Sequence, residues 1–310
     1  MSVRTSLIIP AHNESARLAE GYRRLAPVLE ELSLATTEVI VIDDGSSDDT
    51  LRVAHDVYGH LPHTLFVQQP SNLGKGAAVR LGIALARGEH LLAADADMAI
   101  RPEHFIAMVT ALEHSALAPG SRALRGRIHY DSALRTLTGS AFHHLVRHYT
   151  GVTLRDTQCG AKGFQRGPAR LLALLGMVNG FAYDAEMFFL AEQLGMAIEP
   201  VQVTWDDVRG SSVRVGHDSL QMIRDLRSLR RTHYVNPVIE LARDVAVADI
   251  DRVAREARVQ GLVVARGASD ALLVLARDAS LAALGIAASL GGRLRTAGIG
   301  ELRGRTCDAV

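Results

Sequence analysis

The chain has 310 residues, 48% of them hydrophobic, which is enough for one large core or two smaller ones. Its 34 Lys+Arg balance 34 Asp+Glu, so it lacks the bulk charge of a polyanion binder and nucleic acid is excluded as the expected partner. Cys159 and Cys307 lie far apart and spell neither a disulfide framework nor a zinc motif, which fits a reducing compartment.

The first predicted strand, residues 6–10, runs into Ala11, His12, Asn13 and Glu14, and a helical period follows over 16–32. A second apolar strand, 39–42, breaks into Asp43-Asp44-Gly45-Ser46-Ser47-Asp48-Asp49-Thr50. Ser47 or Asp48 is expected to cap the helix predicted at 50–58, a role that does not require Asp43 and Asp44. A strand at 64–68, a helix at 76–86 and a strand at 89–94 continue the alternation, which predicts βαβ units and a mostly parallel sheet.

The fourth strand ends in Asp95-Ala96-Asp97. In an extended segment residues i and i+2 point the same way, so both carboxylates can face one hard cation. Ligands of open α/β sheets bind beyond the carboxyl ends of the strands. Three strand ends carrying Asn13 and Glu14, Asp43 and Asp44, and Asp95 and Asp97 are therefore expected to converge on one crevice.

After Arg101-Pro102 a helix is predicted to about 114, then a strand, Ala118-Pro119-Gly120-Ser121-Arg122, leading into a basic loop. Residues 131–150 read as a long helix. Its His143, His144 and His148 lack acidic company at metal-ligand spacing, so they are expected on a solvated or interfacial face. Strands are predicted at 159–165 and at 197–204, the second at a sheet edge. From Asn236-Pro237 the pattern changes: strand 244–248, helix 250–258, a hairpin of 261–265 and 271–276, helix 279–290 and strand 293–297 spell βαββαβ, the ferredoxin-like order. The expected domains are 1–236 and a small α+β module over 240–310, with a regulatory or dimerising role for the latter.

Residues 271–290 are the most apolar stretch, but Arg277 and Asp278 interrupt them, and they fall short of the roughly 20 apolar residues a membrane span needs. No signal-peptide pattern opens the chain. A cytoplasmic, soluble protein is expected.

Three further motifs occur in fixed order: Asn72-Leu73-Gly74-Lys75-Gly76-Ala77-Ala78-Val79-Arg80, Asp156-Thr157-Gln158-Cys159-Gly160-Ala161-Lys162-Gly163-Phe164, and Trp205-Asp206-Asp207-Val208-Arg209-Gly210-Ser211-Ser212. With the strand-end acids, they make residues 3–235 resemble the family 2 glycosyltransferases of GT-A fold. The narrower likeness is to the dolichyl-phosphate glucosyltransferases and polyprenyl-phosphate mannosyltransferases. Ala161 departs from that branch, where Phe is expected, and the eukaryotic glucosyltransferases of the branch carry a membrane anchor.

The resemblance implies an α/β fold with a GT-A (Rossmann-like) nucleotide-sugar domain. It implies an inverting, metal-dependent transfer of a hexose from UDP-glucose or GDP-mannose to a polyprenyl phosphate, with peripheral contact at the cytoplasmic face of a membrane through surface helices or a partner. Asp44 resembles the residue that hydrogen-bonds the base, and Pro10, Asn13 and Glu14 those bordering base and ribose. Lys75 and Arg80 are nucleotide or phosphate contacts, or solvated helix residues. Asp97 is the first ligand of Mg²⁺ or Mn²⁺, and Asp95 is a second ligand or a ribose partner, with Ala96 between them in the donor site.

Arg122 and Arg135 match positions that bind the acceptor phosphate, a task suited to bidentate arginine. Arg209, Ser211, Ser212 and Arg214, flanked by Gly210 and Gly216, resemble a loop that closes over both substrates. Asp184 and Glu186 stand where many members carry a base-forming acid, although a helix N-terminus favours such charges anyway. Asp156 and Gln158 compete with them for the acceptor. Two other readings share these motifs: a transferase acting on a soluble or glycan acceptor, and a non-catalytic nucleotide-sugar sensor with the C-terminal module as its output.

Overall fold

A computed structural model describes residues 2–123, 144–206, 217–229, 235–241, 245–256, 263–267, 271–274, 287, 289–290 and 292–309. Arg135, His143, Arg209, Gly210, Ser211, Ser212, Arg214 and Gly216 lie outside these residues.

Strands β1 (Thr5–Ala11) and β2 (Thr37–Asp43) are buried almost throughout, as parallel strands covered on both faces must be. With helices α1 (Leu18–Glu31), α2 (Thr50–Tyr58) and α3 (Lys75–Leu85) and strands β3 (Thr64–Gln68) and β4 (His90–Ala93) they form the expected parallel half. β1 pairs in parallel with β2 and β4, and β2 with β3. The chain continues through α4 (His104–Ala111), β5 (Leu117–Ser121), β6 (Lys162–Gln165), α5 (Arg166–Leu175), α6 (Tyr183–Gln193), β7 (Val201–Gln202) and α7 (His217–Leu229).

The sheet order is β3-β2-β1-β4-β6-β5-β7, with β6 antiparallel to both neighbours. That reversal brings Lys162, at the start of β6, level with Ala93 at the end of β4. β5 points the same way as β4, so Ser121 and Arg122 emerge at the same edge. The strand predicted at 159–165 is shorter than expected, and the one at 197–204 contracts to β7, which does lie at the edge. Within the predicted helix 131–150, residues 144–150 are helical.

A second sheet holds β8 (Val235–Leu241), β9 (Val263–Arg266), β10 (Ala271–Val274), β11 (Arg293–Gly298) and β12 (Thr306–Ala309), in the antiparallel order β11-β8-β10-β9-β12. Helices α8 (Val247–Glu256) and α9 (Ile299–Leu302) accompany it among the described residues. The strand expected at 244–248 is corrected: Val247 opens α8, and the strand is β8, which runs across the expected boundary between residues 236 and 240. A short apolar run does not distinguish strand from helix, and Pro237 hid the real strand. Pro237 lies inside that strand, in register with Thr296 of β11.

One core cluster, on the α3, α5 and α6 face of the large sheet, joins Ile8, Leu91, Phe164, Leu171 and Leu172 to Val238, Val263, Ala265, Leu272 and Val274 of the second sheet. Each fully buried aliphatic side chain contributes about 1.5–3 kcal/mol. The two sheets thus share a core. A second cluster, from Leu7 and Ile9 to Leu25, Tyr58, Phe105 and Met108, fills the opposite face.

Candidate active site

The loops after β1 and β2 are fastened to each other. Asn13, at φ 55°, donates its N–H to Ser46 Oγ at 2.9 Å and accepts from Ser47 N at 2.9 Å. Asparagine tolerates this left-handed backbone better than most residues. Glu14 N donates to Thr50 Oγ1 at 2.8 Å, and Ser15 Oγ to Asp48 Oδ2 at 2.6 Å. Asp48 also accepts from Thr50 N at 3.0 Å, a bond of the turn before α2; the cap expected at Ser47 or Asp48 is corrected, because the N-cap position falls on Asp49, which makes no side-chain cap bond. Pro10, one residue before the end of β1, lies in register with Ile42.

Asp43 and Asp44 are both buried. Asp43 accepts from Ser46 N at 3.0 Å and Gln68 Nε2 at 2.9 Å. Asp44 accepts from Gln69 Nε2 at 2.9 Å, Leu73 N at 2.7 Å and Gly74 N at 2.9 Å, so its carboxylate holds the turn that opens α3. Burial raises its pKa, against the pull of those two backbone N–H groups. Gly74 takes φ 101° there, and a Cβ would strike Asn179 O at 2.4 Å, so only glycine fits.

The turn after β4 is walled by glycines. A Cβ on Gly21 of α1 would sit 2.0 Å from Ala96 O, and one on Gly160 would sit 2.3 Å from Asp95 Oδ2. Asp95 Oδ1 accepts from Lys75 Nζ at 2.5 Å. Burial pushes the Asp95 pKa up, but Lys75 overrides it and holds the carboxyl below its ordinary value. Asp97 accepts from Ala99 N at 3.1 Å and stands 3.7 Å from Arg17 Nη1; burial and then the Asp95 charge raise its pKa.

Arg17 also pairs with Glu14 Oε1 at 2.6 Å, while the buried Glu14 Oε2 has no hydrogen-bond partner. Burial lifts Glu14 to about 7 against the pull of Arg17, and Asp97 and Asp95 add to the rise. Among the described residues no three His, Cys, Asp or Glu are grouped to hold a metal by themselves. Asp95 and Asp97 could hold a hard cation that takes its other ligands from substrate oxygens and water. The donor chemistry fits: the acids are oxygen ligands, and the raised Asp97 and orphaned Glu14 oxygen mark negative charge that a cation would offset.

At the far side of the crevice, Arg122 and Asp156 hold each other. The guanidinium donates from Nε and Nη2 at 2.8 and 2.9 Å, and the Arg122 N–H at 3.0 Å. Burial pushes the Asp156 pKa up, and Arg122 more than reverses that. Gln158 N donates to the same carboxylate at 3.2 Å. Arg80 donates to Val178 O at 2.6 Å and to Asn179 Oδ1, tying α3 to the loop before α6, a role neither expectation gave it. Glu186 accepts from Met177 N at 2.9 Å and Val178 N at 2.8 Å and fastens the same loop. Asp184, in the first turn of α6, stands 2.9 Å from Lys162 Nζ. The segment entering the expected closing loop is anchored beside the acids: Asp206 N donates to Ala99 O at 2.8 Å, and its carboxylate pairs with Arg101 at 3.1 Å.

Residues 6–170 match the sequence profile of glycosyl transferase family 2. The chain belongs to that family. The transferase is 37% identical to dolichyl-phosphate beta-glucosyltransferase of Drosophila melanogaster over 242 residues, covering 73% of this chain and 74% of that protein. The proteins of that name from Homo sapiens and Saccharomyces cerevisiae are 34% and 30% identical, with coverage of 73% and 74% of this chain and 74% of each relative. Among solved structures, glucosyl-3-phosphoglycerate synthase from Mycobacterium tuberculosis in complex with UDP is similar at TM-score 0.57 and 23% identity, over 74% of this chain and 80% of that one. S. aureus TarS 1-349 in complex with UDP-GlcNAc gives TM-score 0.52 and 18% identity, over 74% and 66%. These likenesses establish the GT-A fold.

The transferase site contains residues that the sequence did not single out. Arg17 lies in no quoted motif, and Lys162 lies inside one without being singled out, because basic side chains are usually solvated. Gly160, inside a motif already quoted, was the available hint, since a glycine there lets the backbone approach an acid. Among the described residues no helix is long and apolar enough to cross a membrane.

Proposed function

We propose that this transferase moves glucose from UDP-glucose to a polyprenyl phosphate, with inversion at the anomeric carbon. The observation that carries the reading is the shared name of its relatives, dolichyl-phosphate beta-glucosyltransferase, at 30% to 37% identity over about three quarters of the chain. That name favours glucose over mannose, and a lipid phosphate over a soluble or glycan acceptor. Family membership favours catalysis over a sensor role.

In this reading the nucleoside lies against the fastened loops of Asn13, Glu14 and Asp44, and the diphosphate lies over Lys75. Asp95 and Asp97 would hold Mg²⁺ or Mn²⁺, whose Lewis acidity would stabilise the charge developing on the leaving diphosphate. Lys75, charged above the ordinary lysine range by Asp95 and Asp184 in spite of burial, adds a fixed cation beside that charge. The acceptor phosphate is already an anion, so it needs steering by arginine more than a strong base. Arg122 would turn toward it, with Arg135 and Arg209 as the proposed further contacts. Action at a membrane lipid calls for peripheral contact at a cytoplasmic membrane face, and the second sheet is a proposed surface for a homodimer.

The test is a radiolabelled transfer assay with UDP-glucose and GDP-mannose, each offered with polyprenyl phosphate and with soluble glycans. Label from UDP-glucose in the lipid phase is expected. Label confined to a soluble glycan would establish the alternative acceptor, and label from GDP-mannose alone would overturn the donor.

A further inference from the structure

Lys162 is a fully enclosed charged side chain near the site, with 1% of its side chain exposed against 6% for its partner Asp184. Its Nζ donates to Cys159 O at 2.5 Å and stands 2.9 Å from Asp184 Oδ1. Asp184 Oδ1 has no aligned hydrogen bond, so the approach to Lys162 is an ion pair. Both contacts lead back to the site. The turn of Cys159 and Gly160 is the wall behind Asp95 Oδ2, and Asp184 is one of the two main charges sustaining the Lys75 ammonium. Asp95 in turn feels Lys162 directly. Four alternating charges therefore connect β6, α6, α3 and the end of β4.

We propose that Lys162 and Asp184 are positioning residues: the pair fixes the turn behind Asp95 and the charge beside Lys75, and Asp184 serves as a counter-charge and not as the proton acceptor of the transfer. This rests on the phosphate-acceptor reading above, and the bond changes agree with it. An oxygen of the acceptor phosphate bonds to the anomeric carbon, the bond from that carbon to the diphosphate oxygen breaks, and the leaving diphosphate takes the electron pair. No proton need move.

Four variants test the pair: Lys162→Met, Asp184→Asn, the double variant, and Lys162→Arg. The readouts are the unfolding midpoint, UDP affinity by calorimetry, and kcat and KM of transfer. Removing one partner of a buried pair strands the other, whereas removing both is often neutral. Each single neutralising variant is expected to lower the midpoint by about 6 °C or more and kcat by about 100-fold. The double variant should return to within about tenfold of the wild-type kcat with UDP affinity unchanged, since the charge balance is restored. Lys162→Arg should retain most activity. If the single variants do not fold, the double variant and Lys162→Arg still carry the comparison with the wild type.

A double variant that folds, binds UDP like the wild type and shows no turnover would overturn the proposal and make Asp184 the proton acceptor. Failure of the acceptor reading would look different, because the wild-type protein itself would then not glucosylate polyprenyl phosphate. In that event the midpoints still decide on the pair: recovery in the double variant supports it, and simple addition of the single losses overturns it.

Discussion

In the loops after β1 and β2, Asp43, Asp44 and Asp48 accept N–H groups of backbone and amides, whereas beyond β4 the acids Asp95, Asp156 and Asp184 each face a cation. The first arrangement shapes loops without gathering charge. The second keeps Lys75, Arg122 and Lys162 beside the place where a diphosphate is proposed to leave and an anionic acceptor to arrive. In the proposed reading, donor binding is a matter of loop geometry, and transfer a matter of stored charge. The two kinds of acid also differ in what their loss should do. An acid that loses N–H donors costs about 1–3 kcal/mol, while stranding one member of a buried ion pair costs about 3–5 kcal/mol.

The largest effect should come from the ion-pair side. Arg122→Met leaves Asp156 buried without its partner and should destabilise the protein by about 3–5 kcal/mol in denaturant titration. Adding Asp156→Asn should recover most of that loss, with acceptor KM still raised. If Arg122→Met alone unfolds at the wild-type denaturant concentration, the pair is not the structural element described here.

Asp97 lies at the junction of the two regions, bonded to Ala99 N and faced by Arg17 at 3.7 Å. Asp97→Asn is nearly isosteric and should leave folding intact while turnover falls by at least about 100-fold, as for the loss of one preorganised electrostatic group. Turnover unchanged at saturating Mg²⁺ or Mn²⁺ would remove this residue from the metal site.

On the loop side, Asp44→Asn replaces an acceptor of three N–H groups with a side chain that brings its own donors. It should cost about 1–3 kcal/mol and raise the KM for UDP-glucose more than it lowers kcat. A pure kcat effect would place Asp44 with the charge-bearing acids instead.

Glu14 gives the subtlest test, through pH. Its pKa in the fold, about 7, lies above the ordinary 4.5, so between those values the folded protein binds more protons than the unfolded chain. Stability should therefore fall as pH rises through that window. In chelator-treated protein, Glu14→Gln should flatten this slope while leaving stability below pH 4.5 little changed. A slope that persists in the variant would assign it to another group.

The parallel half of the fold was legible because its strands are apolar runs that end abruptly in polar turn residues; α2 and β3 emerge with the predicted limits. The strand-end acids were legible for the same reason. Their partners were not. That Asp156 meets Arg122 and Asp184 meets Lys162 depends on β6 running backwards between β4 and β5, a choice of topology that periodicity does not encode. Arg80 shows the converse: its place on α3 suggested a phosphate contact, but a loop that packs on that helix takes up the guanidinium. In the second sheet, Pro237 masked β8 because a proline reads as a break in a strand, although it pairs there with Thr296.

The central claim is that glucose passes with inversion to a phosphate oxygen of a polyprenyl lipid, and the most direct measurement is the NMR spectrum of the purified lipid product. The account predicts a β-configured anomeric proton coupled to phosphorus. An α-anomer, or a glucose whose anomeric proton shows no coupling to phosphorus, would contradict it.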